Sequence, residues 1–152
     1  MKIHRLDHLH VYSVDPESSA RFYREVFQAD PIGQAQSSHG GTMHFLRLGG
    51  VALVLAPYPP GVEAGVPPAY ADGTFQRGFG VAHFGLNVGS VAEAVESVRR
   101  RGGQILSEPK ENAGLRFAYV GAPDGVIVEL LEHDARWATL LGASASALAC
   151  PS

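Results

Sequence analysis

His8-Leu9-His10-Val11-Tyr12-Ser13-Val14 and His83-Phe84-Gly85-Leu86-Asn87-Val88 decide the fold, because they are the same stretch written twice. Each alternates as a half-buried strand does. Each runs into a helix start. Asp15 is a good N-cap with Pro16 at the first helical position, and Ser90 with Glu93 forms a capping box. His8 to His83 is 75 residues, and so is Asp15 to Ser90. The same offset carries Gly50-Val51-Ala52-Leu53-Val54-Leu55 onto Gly125-Val126-Ile127-Val128-Glu129-Leu130 without a gap. An offset kept at both ends of a unit means two copies of that unit.

Each copy reads strand, helix, then three strands. In the first, strands are expected near 3–14, 30–36, 42–48 and 51–56. In the second they are expected near 81–88, 104–107, 115–120 and 126–131. The first helix spaces Ser19, Phe22, Tyr23, Val26 and Phe27 along one face, and the second spaces Val91, Ala94, Val95 and Val98. The second ends at Gly102-Gly103 with Arg99, Arg100 and Arg101 in its last turn, where cations meet the helix dipole. That placement explains the arginine run without an anion site. The predicted class is α+β: two βαβββ modules, about 1–57 and 81–133, in a single domain over 1–152. A Pro/Gly/Ala-rich loop joins them over about 58–80, and an Ala/Ser-rich tail covers 134–152, with one helical turn around Trp137–Leu141.

The rest of the composition excludes more than it assigns. A formal charge of −3 disfavours general affinity for nucleic acid or anionic membranes. The single cysteine, Cys150, allows no internal disulfide. No apolar run approaches the ~20 residues of a membrane helix, and the opening residues do not read as a signal peptide. The expectation is a cytoplasmic protein with a small-molecule substrate and neither nucleic acid nor membrane as partner.

Strand alternation puts His4, His8, His10 and Tyr12 on one face, and His83, Gly85 and Asn87 on the matching face of the second copy. Glu129 falls among Val128, Leu130 and Leu131, where a lone buried carboxylate would be costly. A divalent metal on His8, His83 and Glu129 resolves that cost. Two imidazoles and a carboxylate leave positions open for water or substrate. Such an ion keeps about one net positive charge and suits an anionic, chelating ligand such as an enediolate, a catecholate or a hydroxy-carbonyl compound.

Leu6-Asp7-His8 before Asp15-Pro16-Glu17, Arg21-Phe22-Tyr23, Val81-Ala82-His83, and Ala122-Pro123-Asp124-Gly125 before Glu129-Leu130-Leu131 together resemble the vicinal oxygen chelate superfamily, over about residues 3–133. That superfamily includes glyoxalases, methylmalonyl-CoA epimerases, extradiol dioxygenases and bleomycin-resistance proteins. The resemblance implies modules paired in a curved, half-open barrel, within a chain or across a homodimer, with the metal on the concave face. It carries His8, His83 and Glu129 over as three ligands. The fourth family position falls on Val54, which cannot coordinate. This departure speaks against a four-ligand glyoxalase and favours the Fe(II) set of extradiol dioxygenases, with Mn, Ni, Co or Zn as other occupants. Tyr119 before Ala122-Pro123 matches the closing part of the extradiol signature, where a tyrosine orients the bound diol. The histidine that precedes it in that signature is missing, its stretch holding Lys110, Glu111 and Asn112.

His10, one pleat from His8, and His44, ten residues before Val54 as Tyr119 is ten before Glu129, are further acid–base candidates. Pocket lining is an equally good explanation of each. His39 reads as a turn residue, His133 as a strand end, and Lys110 and Arg116 as solvent-exposed. The favoured function is therefore an extradiol-type dioxygenase. A glyoxalase- or epimerase-type lyase or isomerase and a non-catalytic drug-binding protein are the alternatives.

Overall fold

The structure, a computed structural model, describes residues 5–61, 80–112 and 114–135. Residues 3 and 4 of the expected opening strand, most of the 58–80 loop and the helical turn near Trp137 lie outside these residues, while residues 5–7, expected in that strand, precede it. The first module runs β1 (His8–Ser13), α1 (Pro16–Phe27), β2 (Asp30–Gln36), β3 (Thr42–Leu48) and β4 (Val51–Pro57). The second runs β5 (Phe84–Asn87), α2 (Val91–Arg100), β6 (Gln104–Asn112), β7 (Leu115–Gly121) and β8 (Ile127–His133), with a short turn at Pro123–Gly125. Each module forms its own open four-stranded sheet, β1-β4-β3-β2 and β5-β8-β7-β6. β1 lies parallel to β4 and β5 to β8, and the remaining pairs are antiparallel. The predicted α+β class and the two βαβββ modules are thus what the chain forms.

The local chemistry explains the elements. Asp15 adopts an extended conformation and accepts a hydrogen bond from Ser18 N at 3.0 Å, satisfying one of the free donors of the first turn. Ser90 does the same for Glu93 N at 3.3 Å. α2 stops at Gly102, whose φ of +79° suits a residue without a Cβ. α1 instead stops at Gln28 in the left-handed region (φ 57°), a turn that no glycine announces.

α1 packs on β3 and β4, α2 on β6, β7 and β8. Tyr23, Leu46, Leu53 and Leu55 are buried in the first module, and Val91, Val95, Val120 and Val128 in the second. Each fully buried aliphatic side chain contributes roughly 1.5–3 kcal/mol. Of the expected helix faces, Ser19, Tyr23, Val26, Val91, Val95 and Val98 are buried, while Phe22, Phe27 and Ala94 are half-buried at the edges of their stripes. The arginine run is a helix end, with Arg99 paired to Glu96 and Glu108.

The described residues fall into two compact units: 5–61 with 122–125, and 80–121 with 126–135. The turn before β8 therefore belongs with the first module. There Asp124, in the left-handed region at φ 59°, accepts hydrogen bonds from Val14 N at 3.0 Å and Ser19 Oγ at 3.1 Å. Ser19 Oγ also lies 2.8 Å from Ser13 Oγ, both residues buried.

Candidate metal centre

In the second module Val128 and Leu130 point to the core under α2, so Glu129 points the other way. The register sets Glu129 between Gly85 on β5 and Tyr119 on β7. His83, two residues before Gly85, brings Nε2 within 3.2 Å of Glu129 Oε2. The side chains are 34% and 15% exposed respectively, so a mostly covered carboxylate meets an imidazole at the mouth of the site. Tyr119 donates a hydrogen bond to Glu129 and sets its ring edge-on to His83, 5.4 Å between centroids. Burial, and then the Glu129 charge and hydrogen bond, push the Tyr119 phenol above its ordinary pKa, so it stays protonated and a donor at neutral pH. Gly85 keeps the space open. A Cβ there would come within 2.7 Å of Leu131 Cδ2 and 3.7 Å of Glu129 Oε2.

In the first module His8, His10 and Tyr12 share the exposed face of β1, alternating with half-buried Leu9 and Val11. His8 Nδ1 lies 3.0 Å from Asp7 Oδ1, and this hydrogen bond is the main cause that holds the Asp7 carboxyl below its usual range. A proton on Nδ1 leaves Nε2 as the free donor atom, the arrangement that carboxylates impose on metal-binding histidines. The sequence contained Asp7, but only the geometry gives it this role. His10 stands beside Val54 in the register, and Phe45 lies on the other side of Val54.

His44 is not on that face. It pairs with Leu55, which is fully buried, and with Gln34, whose Nε2 lies 3.3 Å from His44 Nδ1. It lines a cleft of about 220 Å³ with Ala20, Arg21 and Arg24 of α1. The reason is a one-residue difference in pairing register between the copies, whose turns differ by three residues. Leu48 opposite Val51 leaves a two-residue turn in the first, whereas Gly121 opposite Ile127 leaves five residues in the second. Nine residues separate Phe45 from Val54, and ten separate Tyr119 from Glu129. The counterpart of Tyr119 is therefore Phe45, and a slip of one residue turns His44 to the helix side.

His83, Glu129 and Tyr119 are thus brought together, while His8 and His10 stand on the first module. Among the described residues no three His, Cys, Asp or Glu side chains converge as a complete metal-holding group. The donor chemistry nonetheless fits a divalent ion. In the second module a carboxylate oxygen and an imidazole nitrogen converge beside Gly85.

The sequence model of the Glyoxalase/Bleomycin resistance protein/Dioxygenase superfamily matches residues 5–130. The chain belongs to this superfamily. Among curated members it is similar to a probable chloroplastic lactoylglutathione lyase of Arabidopsis thaliana, 38% identical over 66 residues that make up 42% of this chain and 19% of that protein. It is also similar to a lactoylglutathione lyase of Escherichia coli, 34% identical over 61 residues, 39% of this chain and 45% of that protein. The match therefore spans less than half the length of these relatives. Among solved superfamily folds, an antibiotic binding protein from a Streptomyces species superposes with a TM-score of 0.66 at 21% identity, covering 88% of this chain and 99% of that one. A fosfomycin resistance protein from Listeria monocytogenes, in complex with Mn(II) and a dihydroxypropylphosphonic acid, gives 0.66 at 17% identity, covering 91% and 99%. These likenesses establish the shared fold. Among the described residues no helix is long and apolar enough to cross a membrane.

Proposed function

We propose that this protein is a metal-dependent lyase or isomerase of glyoxalase type, acting on a small organic substrate through two vicinal oxygens. The reading rests on the contact between His83 and Glu129 in the space left by Gly85. His8, His83 and Glu129 would hold the ion, drawn from one chain or from two copies in a homodimer. The similarity to lactoylglutathione lyases supports a lyase over the dioxygenase that Val54 and Tyr119 first suggested. A divalent ion bound there supplies Lewis acidity toward both substrate oxygens.

The chain's own residues do the rest. Asp7 fixes the tautomer of His8. Tyr119 stays protonated and steadies Glu129. In glyoxalase-type relatives the fourth family position is usually glutamate, but here it is Val54, so the proton must be moved by another group. His10, beside Val54 in the register and exposed, is the base we assign.

The test is metal content and turnover of protein purified without oxygen and without a metal-affinity tag. Manganese, nickel, cobalt or zinc bound at about one per chain, lost in Glu129→Ala, with conversion of a methylglyoxal–glutathione hemithioacetal to its thioester, is the expected result. Iron together with oxygen uptake on catechols would replace this reading with the dioxygenase, which the three-ligand set favours. Tight ligand binding that survives loss of His8 and Glu129 would point to a binding protein instead.

A further inference from the structure

The internal repeat contains its own control for Tyr119. In the second module the phenol faces a carboxylate, Tyr119 against Glu129. At the equivalent register of the first module the carboxylate is replaced by Val54, and the facing ring is Phe45, the same ring without the hydroxyl. The hydroxyl is present where the carboxylate is present and absent where it is absent. The Tyr119 ring lies edge-on to His83 at 5.4 Å, and the Phe117 ring neighbours it at 5.7 Å. Its hydroxyl is hydrogen-bonded to Glu129.

Resting on the metal reading above, we infer that Tyr119 is a positioning residue for Glu129. Its hydroxyl holds the carboxylate against rotation, so that the oxygen beside His83 remains turned to the ion. Its contribution lies in metal affinity, not in contact with substrate. This differs from the role that the extradiol resemblance implied, in which the tyrosine touches the bound diol. A carboxylate free to rotate must lose that freedom on binding, and outer hydrogen bonds of this type typically change metal affinity by about 10–100-fold.

The experiment is Mn(II) affinity, by competition with a chelator, for the wild type, Tyr119→Phe, Phe117→Leu and Glu129→Ala, with the thermal transition of each metal-free protein. Tyr119→Phe is expected to bind Mn(II) about 10–100-fold more weakly while its metal-free transition matches the wild type. Phe117→Leu, which removes packing beside the ring and leaves the hydroxyl, is expected to keep wild-type affinity. Glu129→Ala is expected to bind no Mn(II). Unchanged affinity in Tyr119→Phe, or an equal loss in Phe117→Leu, overturns the positioning role while leaving the metal site standing. Failure of the wild type to take up Mn(II) overturns the metal reading and this inference with it.

Discussion

Gly85 lies directly beside Glu129 in the β5–β8 register, and its missing side chain makes room for Leu131, the residue two beyond that carboxylate. A methyl group at position 85 would press on Leu131 Cδ2 at 2.7 Å, and Leu131 is itself mostly buried. Gly85→Ala is therefore expected to cost roughly 1–3 kcal/mol of stability through overpacking. Urea unfolding of the metal-free protein measures it. A variant as stable as the wild type would show that Leu131 gives way freely.

The two histidines proposed as acid–base groups separate by face. His10→Ala is expected to lower kcat by roughly 10²–10⁴-fold, the usual contribution of a positioned base, with Mn(II) affinity retained. His44→Ala is expected to leave kcat at the wild-type level, because His44 faces α1. Steady-state kinetics on the hemithioacetal decides between them. Equal losses in both would contradict the register argument.

Tyr119 predicts an alkaline effect. Its folded pKa is raised above the ordinary 10.0, chiefly by burial. The unfolded chain releases this proton at lower pH than the folded one does. Stability from the neutral phenol is thus complete below about pH 10 and is lost as pH rises toward the folded value, at no more than about 1.4 kcal/mol per pH unit. Unfolding free energy followed from pH 8 upward should fall more steeply in the wild type than in Tyr119→Phe. Parallel curves would refute it.

Asp124 carries two hydrogen bonds from the β1–α1 corner while holding a left-handed backbone. Asp124→Ala leaves Ser19 with one partner fewer and puts a strained alanine at φ 59°. About 1–3 kcal/mol of destabilisation is expected. Asp124→Asn, which tolerates that backbone and keeps an acceptor, should lose under about 1 kcal/mol. Chemical denaturation of both variants checks the order.

The repeat was legible because its signals are local. Strand alternation around His8 and His83, the caps Asp15 and Ser90, and the terminal Gly102 each act within a few residues. The sequence pattern marks His83 and Glu129 as members of one ligand set, and the structure places them 3.2 Å apart. The face of His44 has no such mark, because it depends on how many residues the turn between β3 and β4 absorbs. A constant offset of 75 conceals a one-residue difference that only pairing reveals. Gln28 escaped as well, since a left-handed helix stop without glycine has no residue-level mark. The partnership of Asp7 with His8 and of Tyr119 with Glu129 needs side-chain geometry that alternation does not specify.

The seating of Ala122–Gly125 with the first module means that the first copy of the repeat is not self-sufficient. A fragment cut within the 58–80 stretch would retain all four strands of its sheet, yet leave Val14 N and Ser19 without Asp124. The first half made alone should therefore be a poorer folder than its sequence pattern suggests, and a short peptide carrying the Pro123-Asp124-Gly125 turn would be the piece it lacks. The duplication has become a loan: the first half of the chain is finished by residues that the second half carries.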